Sequence, residues 1–143
     1  MKNKIIFLDV DGVLCPLNSG GQLPEHIMDR FANMVNRFGY TVVLSSSWRE
    51  YQNSLNKINH ALMYKGVDLF DYVPPKTSKC AAISKWLDLH EEGNEDHERI
   101  EKYVVLDDDY TLGNTFPDNF VLCKNKIFDV EAEEGVVRIL EGD

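Results

Sequence analysis

Apolar residues along this chain gather into short continuous runs, and between the runs they recur every three or four positions. The short runs predict buried strands, at 4–8, 41–44, 67–73, 103–106 and 120–123. The helical spacing predicts amphipathic helices, over about 24–38, 50–63, 78–87 and 132–140. We expect the polar stretch 91–101 to be a surface loop with a frayed helix end. Strands that alternate with helices predict an α/β fold: a three-layer, Rossmann-like parallel sheet of about five strands with helices on both faces.

Polar residues follow the predicted strands directly. Asp9 and Asp11 come after the first strand, Ser45 after the second, and Asp107 and Asp108 after the fourth. The carboxyl ends of parallel strands meet at one edge, where open α/β sheets bind ligands, and residues two apart on an extended strand point the same way. Paired carboxylates favour a divalent cation and can serve as nucleophile and general acid or base. The other reading of the first pair is a polar turn, because Asp-Gly is a common turn dipeptide.

Composition and charge narrow the setting. With 143 residues, 43% of them hydrophobic, the chain is expected to form one domain over 1–143. A net charge of −9 disfavours duplex nucleic acid as the main partner but leaves a small phosphorylated ligand open. The three cysteines, Cys15, Cys80 and Cys123, share no CxxC spacing and predict free thiols in a reducing cytosol. No stretch is long and apolar enough to span a bilayer, so no membrane association is expected.

Taken in order, these strand ends resemble the four motifs of the haloacid dehalogenase (HAD) superfamily of phosphohydrolases. The matching elements are a strand that ends in Asp9-Val10-Asp11-Gly12, a strand that ends in Ser45, a lysine at Lys79 before an apolar helix, and a strand that ends in Asp107-Asp108. The resemblance covers nearly the whole chain, and all four motifs come in the right order. It implies a Mg²⁺-dependent phosphatase that hydrolyses a phosphomonoester.

The resemblance also implies roles for these residues. Asp9 would be the nucleophile that forms an aspartyl-phosphate, and Asp11 the general acid and base, which phosphatases of the superfamily carry and dehalogenases lack. Mg²⁺ would be bound by Asp9, by Asp11 through its backbone carbonyl, and by Asp107 or Asp108. Lys79 would neutralise the nucleophile and the phosphoryl oxygens. The phosphate would be bound by Ser45, with Ser46 and Arg49 beside it.

Several of these assignments have alternatives. Lys76 is the alternative to Lys79, and Ser46 or Ser47 the alternatives to Ser45. Asp109 is expected only to cap the next turn. Trp48 is expected to pack in the core, whereas Arg49 is expected either to contact phosphate or to form a surface ion pair. The four histidines are expected at the surface, away from the motifs: His26, His60, His90 and His97.

The size of substrate that the site admits depends on whether a cap domain is inserted into the core. The two usual insertion points hold only the loop 15–23 and a few residues near Pro74-Pro75, so no cap is expected. An open site would admit a bulky phosphorylated substrate, such as a polymer, a glycan or a protein, or would need a partner to close over a small phosphorylated molecule. The Ser-Ser-Ser-Trp-Arg run, 45–49, resembles a capless subgroup linked to nucleic-acid end repair, which makes a polynucleotide-end phosphatase an alternative. A receiver-like signalling domain is another alternative. A receiver, however, has its acid pair on the first strand and its phosphorylated Asp on the third, whereas the adjacent acid pair of this chain, Asp107-Asp108, follows the fourth strand.

Overall fold

The structure, a computed structural model, describes residues 2–91 and 99–142. Five strands form one sheet: β1 (Lys2–Leu8), β2 (Thr41–Leu44), β3 (Leu69–Tyr72), β4 (Arg99–Asp107) and β5 (Phe120–Leu122). Their order is β3-β2-β1-β4-β5, and every neighbouring pair is parallel. The predicted α/β architecture with a parallel sheet of five strands is therefore confirmed.

Helices cover both faces of this sheet. They are α1 (Glu25–Phe38), α2 (Gln52–Tyr64), α3 (Lys79–Glu91), α4 (Leu112–Thr115) and α5 (Val130–Glu141). Side chains alternate along β1, so Ile6 and Leu8 pack in a core with α1, α2 and α5, whereas Ile5 and Phe7 pack in a second core with α3 and α4. This accounts for the continuous apolar run in the first strand, which is buried on both faces.

One sequence expectation about an element was wrong in part, and one short helix was missed. The polar stretch 91–101 was expected to be a loop, but β4 already begins at Arg99, where Arg99 and Ile100 pair with Lys2 and Asn3 of β1. Residues 92–98 of that stretch lie outside the described residues. The short helix α4 was not predicted, because four residues are too few to show a periodicity.

The two connections where a cap domain would be inserted are short. Residues 9–24 join β1 to α1, and residues 73–78 join β3 to α3. Neither holds a further domain, so the expected capless core is confirmed. Among the helices of the described part of the chain, none is both long and apolar enough to cross a membrane.

Candidate active site

The register of the sheet aligns the ends of its three central strands. Leu8 of β1 is the partner of Leu44 in β2 and of Leu106 in β4. The next residues along these strands, Asp9, Ser45 and Asp107, therefore lie side by side at the carboxyl edge. The backbone N–H of Asp9 donates to the Leu106 carbonyl, and that of Ser45 donates to the Leu8 carbonyl. Backbone pairing thus fixes where all three residues lie.

One lysine joins the two buried acids of this row. Lys79 is the first residue of α3, and its Nζ lies 3.1 Å from Asp9 Oδ1 and 3.0 Å from Asp107 Oδ2. Asp9 is 3% exposed and Asp107 is fully buried. Lys76, the alternative, is exposed, and its backbone N–H donates to Glu50 Oε1. Of the two lysines, Lys79 is the one that lies between the acids.

The protonation of this buried group differs from that of free side chains. Burial, and after it the negative charge of Asp107, raises the pKa of Asp9 to about 8, although Lys79 opposes the rise. Burial likewise raises the pKa of Asp107. Burial lowers the pKa of Lys79, but the charges of Asp9 and Asp107 outweigh it and raise that pKa overall. Two carboxylates that share one ammonium group therefore resist ionising together.

A third carboxylate completes a set of oxygen donors. Carboxylate oxygens of Asp9, Asp107 and Asp108 lie within 4.8 Å of one another. Hard cations such as Mg²⁺ bind such oxygens, and a divalent cation would supply the charge that lets Asp9 and Asp107 ionise together. The donor chemistry therefore fits the cation that the sequence predicts. The side chain of Asp11 is not part of this carboxylate set.

Gly12 lets the Asp108 side chain approach the loop that follows β1. Its φ of +79° lies in the left-handed region, and a Cβ there would lie 2.2 Å from Asp108 Oδ2. The same Oδ2 also lies 3.5 Å from Lys126 Nζ. Glycine at position 12 is therefore required by the position of this carboxylate as well as by the turn.

The two serines that follow β2 differ in their hydrogen bonds. Ser45 is fully buried, and its Oγ has no hydrogen-bond partner among the described residues. Buried hydroxyls are rarely left unpaired, so Ser45 lies beside Asp9 with an oxygen free to bind a ligand. Ser46 is also buried, but its Oγ accepts from the Trp48 backbone N–H and caps a 3-10 turn, Ser47–Glu50. Ser47 is exposed.

The structure corrects the sequence expectation that Arg49 contacts phosphate or forms a surface ion pair. It is 5% exposed, and its five N–H groups all donate to backbone carbonyls, those of Ser45, Ser46, Pro74 and Thr77. Neither a phosphate contact nor a surface ion pair describes this arrangement, because no N–H is left to donate to phosphate. Arg49 instead ties the loop after β2 to the loop that leads to Lys79.

Asp11 and Trp48 form a contact that the sequence did not reveal. Asp11 is exposed, and its Oδ2 accepts a hydrogen bond of 3.1 Å from Trp48 Nε1. Trp48 is half-buried and packs against the core, as expected, yet its indole N–H faces the acid. No spacing rule links positions 11 and 48, so only the folded structure brings these side chains together.

The remaining expectations concern residues beside the site. Asp109 is exposed, and its Oδ1 accepts from the backbone N–H and the hydroxyl of Thr111, so it caps the turn as expected. His26 and His60 are exposed, whereas His90 is half-buried and stacked on Trp86 at 3.7 Å between ring centroids. His97 lies outside the described residues.

A parallel sheet whose aligned strand ends hold acids, a serine and a bridging lysine is the architecture of a HAD-type phosphohydrolase. Residues 5–127 match the model of a family described as the HAD domain in Swiss Army Knife RNA repair proteins, and the chain belongs to this family. No curated protein matches the chain. The family membership makes the protein a phosphatase-type hydrolase of the HAD superfamily and sets aside the receiver-like alternative.

Proposed function

We propose that this protein is a Mg²⁺-dependent phosphatase that hydrolyses a phosphomonoester through an aspartyl-phosphate on Asp9. The observation that carries the proposal is the group formed by Asp9, Lys79 and Asp107 at the aligned strand ends, with Asp108 within reach of the same cation. Asp9 is buried, contacts Lys79 and adjoins Ser45, whose hydroxyl has no hydrogen-bond partner within the described residues. This supports Asp9 rather than the exposed Asp11 as the residue that receives the phosphoryl group.

In the first step, a carboxylate oxygen of Asp9 attacks the phosphorus of the ester. The bond from phosphorus to the ester oxygen breaks, and that oxygen keeps the electron pair and takes a proton from Asp11. In the second step, a water gives a proton to Asp11 and its oxygen attacks the same phosphorus. The bond from phosphorus to Asp9 breaks, which releases inorganic phosphate and regenerates both acids.

The other residues lower the electrostatic barrier to the attack of one anion on another. Bound at Asp9, Asp107 and Asp108, Mg²⁺ would neutralise charge on the nucleophile and on the phosphoryl oxygens. Lys79 already contacts Asp9 and supplies a second positive charge. The free Ser45 hydroxyl is a donor for one phosphoryl oxygen, and Ser46 lies next to it.

The direct test is hydrolysis of p-nitrophenyl phosphate. We expect slow turnover that needs Mg²⁺, stops with chelator and falls at least about 10³-fold in Asp9→Asn, because a neutral amide is a poor nucleophile. Asp109→Asn is the matched control: this acid lies outside the carboxylate set, so the variant should stay within about threefold of wild type. Full activity in Asp9→Asn, or activity unaffected by chelator, would overturn the mechanism.

A second candidate narrows the substrate to the phosphorylated end of an RNA strand. Two observations favour it: the matched family is described by RNA repair proteins, and the site has no cap over it. Oligoribonucleotides with a 5′- or 3′-phosphate, compared with the matching mononucleotides, test it. A kcat/KM at least about tenfold higher for an oligonucleotide, worth about 1.4 kcal/mol, is expected. Equal or better use of the mononucleotides would contradict it.

We also propose that the protein works in a reducing compartment such as the cytoplasm. Its three cysteines are free thiols, and two of them, Cys15 and Cys123, are buried. A thiol titration of protein purified without reductant tests this, and three reactive thiols after denaturation are expected. A disulfide in that protein would contradict the proposal.

A further inference from the structure

Trp48 is the side chain that holds Asp11. Its indole Nε1 donates to Asp11 Oδ2 at 3.1 Å, and among the described residues it is the one hydrogen-bond donor to that carboxylate. Asp11 is otherwise exposed, so without this bond its side chain would sample several rotamers. The hydrogen bond therefore selects one orientation of the carboxylate.

Trp48 is itself held in place by three contacts. Its ring packs against the core, and its backbone N–H donates to Ser46 Oγ at 3.1 Å. On the face of the ring, Lys57 Nζ lies 5.7 Å from the ring centroid, within the range of a cation–π contact. The same Nζ donates to the Gly21 carbonyl, so Lys57 of α2 and the loop after β1 together hold the indole in place. An indole N–H in a fixed position can orient an exposed carboxylate.

The chemistry of indole suits this task. Its N–H donates but accepts nothing and does not ionise at working pH, so the bond to Asp11 persists whether the carboxyl is protonated or not. It occupies Oδ2 and leaves Oδ1 to exchange the proton. A hydroxyl or a histidine at position 48 would compete for that proton.

We propose that Trp48 is a positioning residue that keeps Asp11 aligned for proton transfer to the leaving oxygen. This inference rests on the proposed function, in which Asp11 is the general acid. Loss of this positioning should lower the reaction rate only where the leaving group needs a proton. A merely structural role would lower the rate for every substrate alike.

Two substrates with different leaving groups separate these roles. An alkyl phosphate leaves as a basic oxygen and needs the proton, whereas dinitrophenyl phosphate leaves without it. In Trp48→Phe we expect kcat/KM, which covers steps up to formation of the aspartyl-phosphate, to fall about 10- to 100-fold for the alkyl ester. For dinitrophenyl phosphate, it should change less than about threefold. Equal losses for both esters would overturn the proposal.

Trp86→Phe is the matched control. Trp86 also donates its indole N–H to an aspartate, Asp71, at 2.8 Å, but on the opposite face of the sheet from Trp48. Its replacement should alter kcat/KM for both esters by the same small factor. A selective loss for the alkyl ester in Trp86→Phe would show that selectivity does not report on Asp11 and would overturn the argument.

A double variant asks whether Trp48 acts through Asp11. In an Asp11→Asn background, Trp48→Phe should cause no further loss for the alkyl ester, because no acid remains to be aligned. A further loss of tenfold would overturn the proposal. If Trp48→Phe proves unstable by thermal unfolding, Lys57→Met should show the same selectivity in weaker form, because it removes the cation–π contact with the ring and the hydrogen bond to the Gly21 carbonyl. Equal rates for wild type and Lys57→Met would then contradict the proposal.

The proposed function and this inference fail in different ways. Wild-type protein without Asp9-dependent hydrolysis of either ester would overturn the proposed function and this inference with it. Asp9-dependent hydrolysis in the wild type, with no selective loss in Trp48→Phe, would overturn the positioning role alone.

Discussion

Single residues determine how closely the loops at the sheet edge approach one another, and Gly12 is one of them. A Cβ at this position would meet both Oδ2 and Cβ of Asp108, at 2.2 and 2.9 Å. A flexible side-chain tip could swing away, but the closeness of Cβ means that the whole Asp108 side chain must shift. The position of one proposed Mg²⁺ ligand therefore depends on the absence of a methyl group elsewhere in the chain.

We predict that Gly12→Ala weakens Mg²⁺ binding by about 10- to 100-fold, because it displaces a carboxylate of the donor set. It should also cost about 1–2 kcal/mol of stability from its positive φ. Gly39→Ala is the control for this strain, because Gly39 also has a positive φ, +72°, but has open space where its Cβ would lie. A Mg²⁺ titration monitored by thermal unfolding measures both; similar Mg²⁺ dependence in the two variants would refute the account.

Arg49 shows a different dependence on a single side chain, since its guanidinium joins four carbonyls from two loops. Lysine retains the charge but not the planar arrangement of donors. We predict that Arg49→Lys lowers the free energy of unfolding by about 2–4 kcal/mol, because buried carbonyls lose their partners. Urea denaturation checks this, with the exposed Arg138→Lys as a control expected within about 0.5 kcal/mol of wild type. Equal stability of the two variants would contradict the role given to Arg49.

At this scale the sequence predicted some partners and missed others. Asp9, Ser45 and Asp107 follow apolar strands directly, so their meeting at one edge could be predicted from strand ends alone. The bonds of Arg49 and the contact between Trp48 and Asp11 could not. They depend on the paths of loops and on backbone carbonyls, which have no signature in residue type.

At the scale of elements, prediction succeeded where a buried face imposes a pattern. The strands β1, β2 and β5 and the amphipathic helix α1 lie where apolar periodicity placed them, within a few residues. The polar start of β4 was missed, because Arg99 is part of the sheet through its pairing with β1 rather than through burial of an apolar run. Hydrogen bonding between distant strands is a property of the fold and leaves no local periodicity.

The aligned strand ends also make stability depend on pH. The pKa of Asp9 rises from 3.8 to about 8 on folding, so folding favours its neutral form. In metal-free protein, that stabilisation is complete below about pH 4 and is lost as the pH rises towards 8. We predict that between pH 5 and 8 the metal-free wild type loses stability, on the order of a few kcal/mol, relative to Asp9→Asn, as measured by urea denaturation at each pH.

Mg²⁺ should oppose this loss, because it binds the ionised carboxylates. Stabilisation of the wild type by Mg²⁺ is therefore expected to be larger at pH 8 than at pH 6, and Asp9→Asn should show little of it. Parallel pH curves for metal-free wild type and Asp9→Asn would contradict the burial argument for Asp9.

At the scale of the whole molecule, the sheet edge is reached without a cap, and the chain carries a net charge of −9. Under the proposed function, an edge without a cap would admit a phosphate on a bulky molecule. Under the proposed function, a net charge of −9 favours binding of the phosphate locally, at Lys79 and the strand ends, over binding through a broad basic surface. The net charge and the absence of a cap could be predicted from the sequence, but composition does not determine which phosphate ester the site prefers.

The central claim is that Asp9 receives the phosphoryl group, and chemical trapping tests it most directly. After reaction with substrate and Mg²⁺, acid quench and borohydride reduction convert an aspartyl-phosphate to homoserine, which peptide mass spectrometry locates. We predict homoserine at position 9 and a larger amount of it in Asp11→Asn, where the intermediate breaks down slowly. Substrate turnover with no homoserine at position 9 in either protein, or with homoserine at another aspartate, would contradict the account.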